Sequence, residues 1–496
     1  MLGYRFCLRQ VGLTPWPLRV ESRLGERRAV EREGDQHLVQ VYPPLQALPT
    51  EGESAIFTHL EFALRHEGVD LAALAGICAA LEPQLLAAWI SSHPSGKYAR
   101  RLGFLYEWLT GRQLPLDPTL IAGAYEPVLD AGVYFTGPVT NVPRWHVRNN
   151  LPGTPAWCPT VHRETLGGVP VGTLDVAAEL RQAHAALPPA IFAALLTHAY
   201  AAEVQASYAI AGDAASPAQR EAFERVLRTA GAVSLAARLA NERLIELQGA
   251  IFSGSGAWIA YGVRRDETFV GSTGHMDLQR VEYPCPPARA LGSLLAGLQQ
   301  AAAERLAAPA LPPIVCAAVV SFGFDFIHPL MQGNGRIHRF LVQAALLETG
   351  ALAPGTIVPV SPVMLARLPE YAKALRAYFA PVRATAEALA GVRVILEPRE
   401  SFSFPHYERV APLYRYPVLT EQVSYLESAV RQGLDADLKE LETLSHGQRL
   451  AHAPQLGEVA LPDAQAAAAE ASSARLRNPA REESVPITPD DSARKR

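Results

Sequence analysis

Two hydrophobic periods divide this chain. Between residues 18 and 42 apolar and polar side chains alternate, in LRVESRL and again in HLVQVY, which predicts two strands of a small hairpin or sheet. Gly25 and Gly34-Asp35 supply turns and Pro43-Pro44 closes the unit. From residue 56 the spacing becomes helical, with helices expected over 56–66, 71–81 and 84–90. A further helix begins at Lys97, sets Tyr98, Leu102, Leu105 and Leu109 on one face, and ends at Gly111.

Residues 114–164 break the period and are rich in proline, glycine and aromatics. Trp145 stands there among Arg144, His146 and Arg148, a grouping that can stack on nucleic acid. The better reading is an irregular segment draped over a neighbouring domain. Helical spacing resumes at Thr173 and runs through IFAALLTHAYAAEVQASYAI. One helix is expected over 234–251, with Leu235, Leu239, Leu244, Leu247 and Ile251 as its core stripe. Short β-prone pieces around Gly271 and Gly274 follow, then Pro284, Pro286 and Pro287, then a helix from Ala288. Residues 314–327 read as a buried helix, FLVQAALLETG as the next one, and SPVMLARLPEYAKALRAYFAPV closes the bundle. Residues 392–403 read as a strand or extended linker and 414–444 as helix. The fold class is therefore mainly α, with a small α/β region at the N-terminus and a helical appendage at the C-terminus. Residues 462–496 hold few large apolar side chains, so a disordered tail is expected there.

A length of 496 residues allows several domains and a large core. A hydrophobic fraction of 49% and a net charge of −4 fit a soluble protein with no basic field for general nucleic-acid or membrane binding. Five scattered cysteines without a CxxC pair read as reduced core thiols, and MLGYRFCLRQ lacks the apolar run of a secretion signal. A cytoplasmic location is expected.

Residues 322–339, FGFDFIHPLMQGNGRIHR, are the hardest to explain as packing. A proline after His328 ends one helix. Gly333 and Gly335 around Asn334 suit a turn whose N–H groups converge, and a helix start adds its positive dipole end. Arg336 and Arg339 lie three apart on that first turn, able to grip phosphate oxygens. His328 at the lip suits proton abstraction from a hydroxyl.

This constellation resembles the Fic family motif, His-Pro-Phe-x-(Asp/Glu)-Gly-Asn-Gly-Arg-x-x-Arg, matched at His328, Pro329, Gly333, Asn334, Gly335, Arg336 and Arg339. The resemblance implies a Fic-type helical bundle with a β-hairpin flap, placed within residues 261–283. It also implies an adenylyltransferase that moves AMP from ATP to a Ser, Thr or Tyr hydroxyl of a target protein. His328 would then be the base. Gly333, Asn334, Gly335 and Arg336 would hold the inner phosphates and Arg339 the terminal one, with Mg2+ or Mn2+ bridging them. Leu330 and Gln332 depart from the motif. Gln332 stands where the family carries an acidic metal ligand, so it is only a weak ligand by charge. Family members often carry an inhibitory helix with Ser/Thr-x-x-x-Glu-Gly/Asn, whose glutamate pairs with the second motif arginine. Ser207, Ala211 and Gly212 fit that frame, with Ala211 in the glutamate position, which implies a missing brake and a free Arg339. The segment KYARRLGFLYEWLTGRQL is similar to one that precedes the catalytic region in some Fic proteins.

The expected organisation is 1–95 N-terminal α/β region, 96–165 helix and connecting segment, 166–391 Fic domain, 392–461 C-terminal appendage and 462–496 tail. Two alternatives stay open: a Fic scaffold that binds nucleotide or a partner without transfer, and a transferase with another nucleotide donor. The P-loop and HExxH signatures are missing, and His146, His162, His198 and His406 read as isolated structural residues. His338 is expected outside the site, as a supporting or surface residue. Neither the target protein nor an oligomeric state is readable.

Overall fold

The structure, a computed structural model, describes residues 1–450 apart from 34–36, 45–47, 53, 185–187, 257 and 307–310. The expected tail at 462–496 and the turn at Gly34-Asp35 lie outside the described residues.

A short amphipathic helix, α1 (Gly3–Gln10), leads into β1 (Val20–Leu24), β2 (Ala29–Glu33) and β3 (His37–Tyr42). The two alternating stretches are strands, yet they pair in parallel, Val20 opposite Leu38, and β2 takes the hairpin position on the other side of β3. Only pairing partners decide that order, because β2 itself carries little alternation. Helices α2 (Ala55–His66), α3 (Leu71–Ala80), α4 (Pro83–Ser91) and α5 (Lys97–Thr110) follow. Their ends have local causes: Asp70 accepts from Ala73 N–H at 2.8 Å, proline opens α4, and Gly111 at φ 68° closes α5.

The connecting segment holds the short strands β4 (Glu126–Pro127), β5 (Thr140–Val142), β6 (Val147–Asn149), β7 (Thr165–Leu166) and β8 (Val169–Pro170). It is pinned by tryptophans. Trp145 is buried and its indole donates to Glu107 Oε2 at 2.8 Å, so it offers no face to a nucleic acid. Trp157 is buried against Gly297 and Gly323.

Helices α6 (Val176–His184), α7 (Pro189–Ile210) and α8 (Pro217–Arg228) come next. The helix expected over 234–251 is broken into α9 (Leu235–Arg238) and α10 (Asn241–Ile251), with Ala240 extended between them. All five residues of the stripe are still buried. Asn241 explains the break, since its Oδ1 accepts Val263 N–H at 3.0 Å and holds the start of α10 in place. Strands β9 (Phe269–Thr273) and β10 (Gln279–Pro284) form an antiparallel hairpin where the flap was expected.

Then come α11 (Ala288–Ala301), α12 (Pro313–Ile327), α13 (Asn334–Glu348), α14 (Val360–Ala366) and α15 (Leu368–Ala390). The strand β11 (Ile395–Leu396) pairs with β10, giving the order β11-β10-β9, before α16 (Ala411–Arg415) and α17 (Thr420–Leu450). The protein is mainly α. Every residue of α12 from Ile314 to Ile327 is buried. That helix packs on α13, α11 and α17, and one continuous apolar core runs from Tyr4 to Leu434. All five cysteines are buried and none forms a disulfide. Among the described residues no single helix is long and apolar enough to cross a membrane.

Candidate active site

The last residue in line with α12 is His328, whose backbone turns left-handed at φ 49° and ψ 56°. Pro329 then has no N–H to continue the helix. A non-glycine residue at positive φ needs outside support. Arg264 provides it. Its backbone N–H donates to Pro329 O and its Nε to His328 O, each at 2.9 Å. The same guanidinium reaches Asp266 O at 2.7 Å and Pro286 O, and the side chain is fully enclosed.

The imidazole Nδ1 of His328 lies 3.2 Å from Asp325 O. A carbonyl only accepts, so Nδ1 carries the proton and Nε2 keeps its lone pair. Nε2 makes no hydrogen bond among the described residues. Burial first, and then the neighbouring Arg264 charge, lower His328 to about 3, against the raising effect of the bond to Asp325 O. The ring is therefore neutral near pH 7.

Asn334 builds the turn beyond it. Its Oδ1 accepts Leu330 N–H at 3.0 Å and its Nδ2 donates to Leu330 O at 2.7 Å, closing the loop on itself. Gly333, at φ 96°, is the N-cap of α13, a conformation in which a side chain is strained. No side chain caps α13 among the described residues, so its first N–H groups and dipole stay available to an anion.

Arg336 and Arg339 are both buried, and Arg339, expected to be free of a carboxylate, is engaged by a serine. Arg339 donates through Nε to Ser207 Oγ at 2.9 Å and through Nη2 to Ser207 O at 2.7 Å. Arg336 forms an ion pair with Asp213, with its guanidinium carbon 4.4 Å from the Tyr208 ring centre and 5.2 Å from that of Phe252. The end of α7 thus covers both arginines. Ala211 is exposed at its C-cap, and Gly212, at φ 75°, turns the chain so that Asp213 returns to the motif. The carboxylate facing the cradle comes from Asp213, two residues past the position where the family frame puts it, and it meets the other arginine.

Two buried acids flank Arg339 at longer range. Burial raises the Asp325 carboxyl to about 6, with Arg339 opposing. Burial likewise raises Glu203 to about 7, against its bonds from Ser361 N–H at 2.8 Å and Ser361 Oγ at 2.6 Å, which tie α7 to α14. His338 is fully buried in the core, edge-on to Phe322 at 4.5 Å, and not at the surface. It follows Arg336 by two positions on α13, and that face meets α12.

Gln332 is held in a hydrogen-bond network and brings no charge. Its Oε1 accepts Ala260 N–H at 3.1 Å and its backbone O accepts Gln248 Nε2 at 2.9 Å, while Gln248 Oε1 accepts Gly262 N–H at 2.7 Å. No group of three His, Cys, Asp or Glu side chains suited to a metal ion occurs among the described residues. The donor set does not fit a resident Mg2+ or Mn2+, which favours charged oxygens.

The hairpin stands beside this cradle. Tyr283 on β10 donates its hydroxyl to Phe326 O in α12, and its ring stacks on Phe379 at 4.3 Å. β9 is an outer strand of this sheet, and among the described residues no further strand pairs with its free edge.

Residues 238–346 match the model of the Fic/DOC family. This stretch is a Fic domain. It runs from the end of α9 into α13 and so contains the hairpin, His328, the glycine turn and both arginines. Ser207 and Asp213, which cover the arginines, lie before it. Among solved structures, a Fic family protein from Desulfovibrio desulfuricans G20 is similar at 17% identity and a TM-score of 0.34, over 56% of this chain and 74% of that one. A Fic domain-containing signaling protein from Bacteroides thetaiotaomicron VPI-5482 is similar at 14% identity and a TM-score of 0.34, over 54% of this chain and 96% of that one. No curated protein matches the chain.

Sequence reasoning missed Arg264, Gln248 and Asp213. Only Asp213 had a local signal, an acid directly after the glycine that ends α7.

Proposed function

We propose that this protein is a Fic-type nucleotidyltransferase that moves AMP from ATP to a Ser, Thr or Tyr hydroxyl of a target protein. One observation carries the reading: a neutral imidazole, fixed through Nδ1 to Asp325 O, stands next to an uncapped helix start with two arginines in its first two turns. Nε2 of His328 takes the proton from the hydroxyl, whose oxygen bonds to the α-phosphorus. The bond from that phosphorus to the bridging oxygen breaks and pyrophosphate leaves. The N–H groups of the Gly333–Gly335 turn and α13, with Arg336, serve the inner phosphates, and Arg339 neutralises the terminal one, once Asp213 and Ser207 release the two arginines. The open edge of β9 aligns an extended target segment by backbone pairing.

The test is transfer of label from α-labelled ATP to protein, with His328→Ala as control. Label in the wild type alone supports the reading, and equal label in both refutes it. Competition by other nucleoside triphosphates identifies the donor. A nucleotide-binding scaffold without transfer is the second reading, favoured by the uncharged Gln332 and by the engagement of both arginines; it predicts bound nucleotide and no label.

A further inference from the structure

We propose that the cradle holds its polyphosphate without a protein-bound divalent cation, and that Gln332 ties the segment 258–262 to the motif loop in place of binding metal. The inference rests on the nucleotide-binding reading above and specifies how that site handles charge.

The side-chain oxygen of Gln332, the atom a cation would need, accepts Ala260 N–H at 3.1 Å. The backbone oxygen of the same residue is taken by Gln248 at 2.9 Å. Gln248 completes the tie by accepting Gly262 N–H at 2.7 Å. Gln332 is thus held from both of its oxygens by one small network, and it brings no charge. A hard cation in a phosphate site is usually fixed by one or two carboxylates besides the phosphates. The acids around this cradle are committed elsewhere. Asp213 is neutralised by Arg336, Glu203 bonds Ser361, and Asp325 is buried on the side of Arg339.

The charge balance agrees with this assignment. An acidic residue at 332 would repel the phosphates and need a cation to stand between them. Glutamine removes that repulsion. Arg336, Arg339 and the α13 N-terminus supply positive charge from the protein itself. A cation that arrives on the nucleotide then rides with the phosphates and adds little to affinity.

Titration calorimetry of the full chain with sodium tripolyphosphate and with ATP, in excess EDTA and in Mg2+, tests this. Asp213→Ala is measured alongside, because it releases Arg336. The expected result is a Kd in EDTA within about threefold of that in Mg2+ for both proteins. Gln332→Glu keeps an oxygen for Ala260 N–H and adds one charge. It should weaken binding about tenfold in EDTA and recover with Mg2+. Wild-type binding that improves more than about tenfold with Mg2+ overturns the inference and leaves the cradle reading standing. Gln332→Glu indistinguishable from wild type in EDTA overturns it as well. No binding in either buffer overturns both.

Discussion

Arg336 on the first turn of α13 and Asp213, just past α7, form an ion pair enclosed by the rings of Tyr208 and Phe252. The arginine side chain is only 5% exposed, so its charge depends on that one carboxylate and the two ring faces. A phosphate that binds Arg336 must compete with Asp213. Asp213→Asn should therefore tighten tripolyphosphate binding about tenfold or more, while lowering folding stability by about 2 kcal/mol. Calorimetry and urea unfolding read the two effects, and unchanged affinity would show that the pair does not guard the cradle.

His328 should stay neutral in the free protein throughout the ordinary working range, since its pKa is held down to about 3. Its ring signals in an NMR titration should stay flat from about pH 8 to pH 5. Adding tripolyphosphate brings negative charge beside the ring, favours the imidazolium, and should raise the pKa by about one unit or more. Transfer activity should then fall on the acid side of that raised value, where the base is occupied by a proton. A free-protein midpoint near the ordinary 6.5 would show that these surroundings do not hold the imidazole neutral.

Among the described residues the Arg264 guanidinium hydrogen-bonds only backbone oxygens, those of His328, Asp266 and Pro286, so it acts by position. Arg264→Lys replaces a fork with a single point charge. It should lower kcat about tenfold or more, with KM for ATP changed by less than about threefold. A loss confined to KM would place Arg264 in nucleotide binding instead.

Gly323 lies in the middle of α12, where alanine would ordinarily add about 1 kcal/mol of helix stability. Here a Cβ would stand 2.5 Å from Trp157 Cζ2. Overpacking wins. Gly323→Ala should destabilise by about 1–3 kcal/mol in urea unfolding. A stabilised variant would show that Trp157 can shift freely.

His338 is fully buried. Burial lowers its pKa to about 3, against the raising effect of the Ser321 backbone. The sign follows from linkage: the unfolded chain protonates this ring below 6.5 and the folded one does not, so its burial costs stability as pH falls below 6.5. His338→Leu should be more stable by about 1 kcal/mol at neutral pH. The gap should widen by about 2 kcal/mol at pH 5, and a gap independent of pH would mean the folded ring accepts the proton.

Local features were legible along the chain. The stop at His328-Pro329, the left-handed Gly333, the hairpin around residue 274 and the ends of α3 to α5 each arise from sterics and capping within a few residues. The parallel pairing of β1 with β3, the break at Ala240 and the burial of Trp145 were not legible, because each is settled by a partner distant in sequence.

The catalytic histidine candidate, its glycine turn and its two arginines were written in one short run of residues, so the sequence by itself determined their identity and order. Tertiary structure decided what holds and covers them. Ser207 and Arg339 are 132 positions apart and Asp213 and Arg336 are 123 apart. Gln332 and Ala260 are separated by 72 and Arg264 and His328 by 64. A covalent neighbourhood dictates dihedrals and caps over a few residues, whereas a hydrogen bond between distant groups exists only after core packing has brought donor and acceptor within about 3 Å.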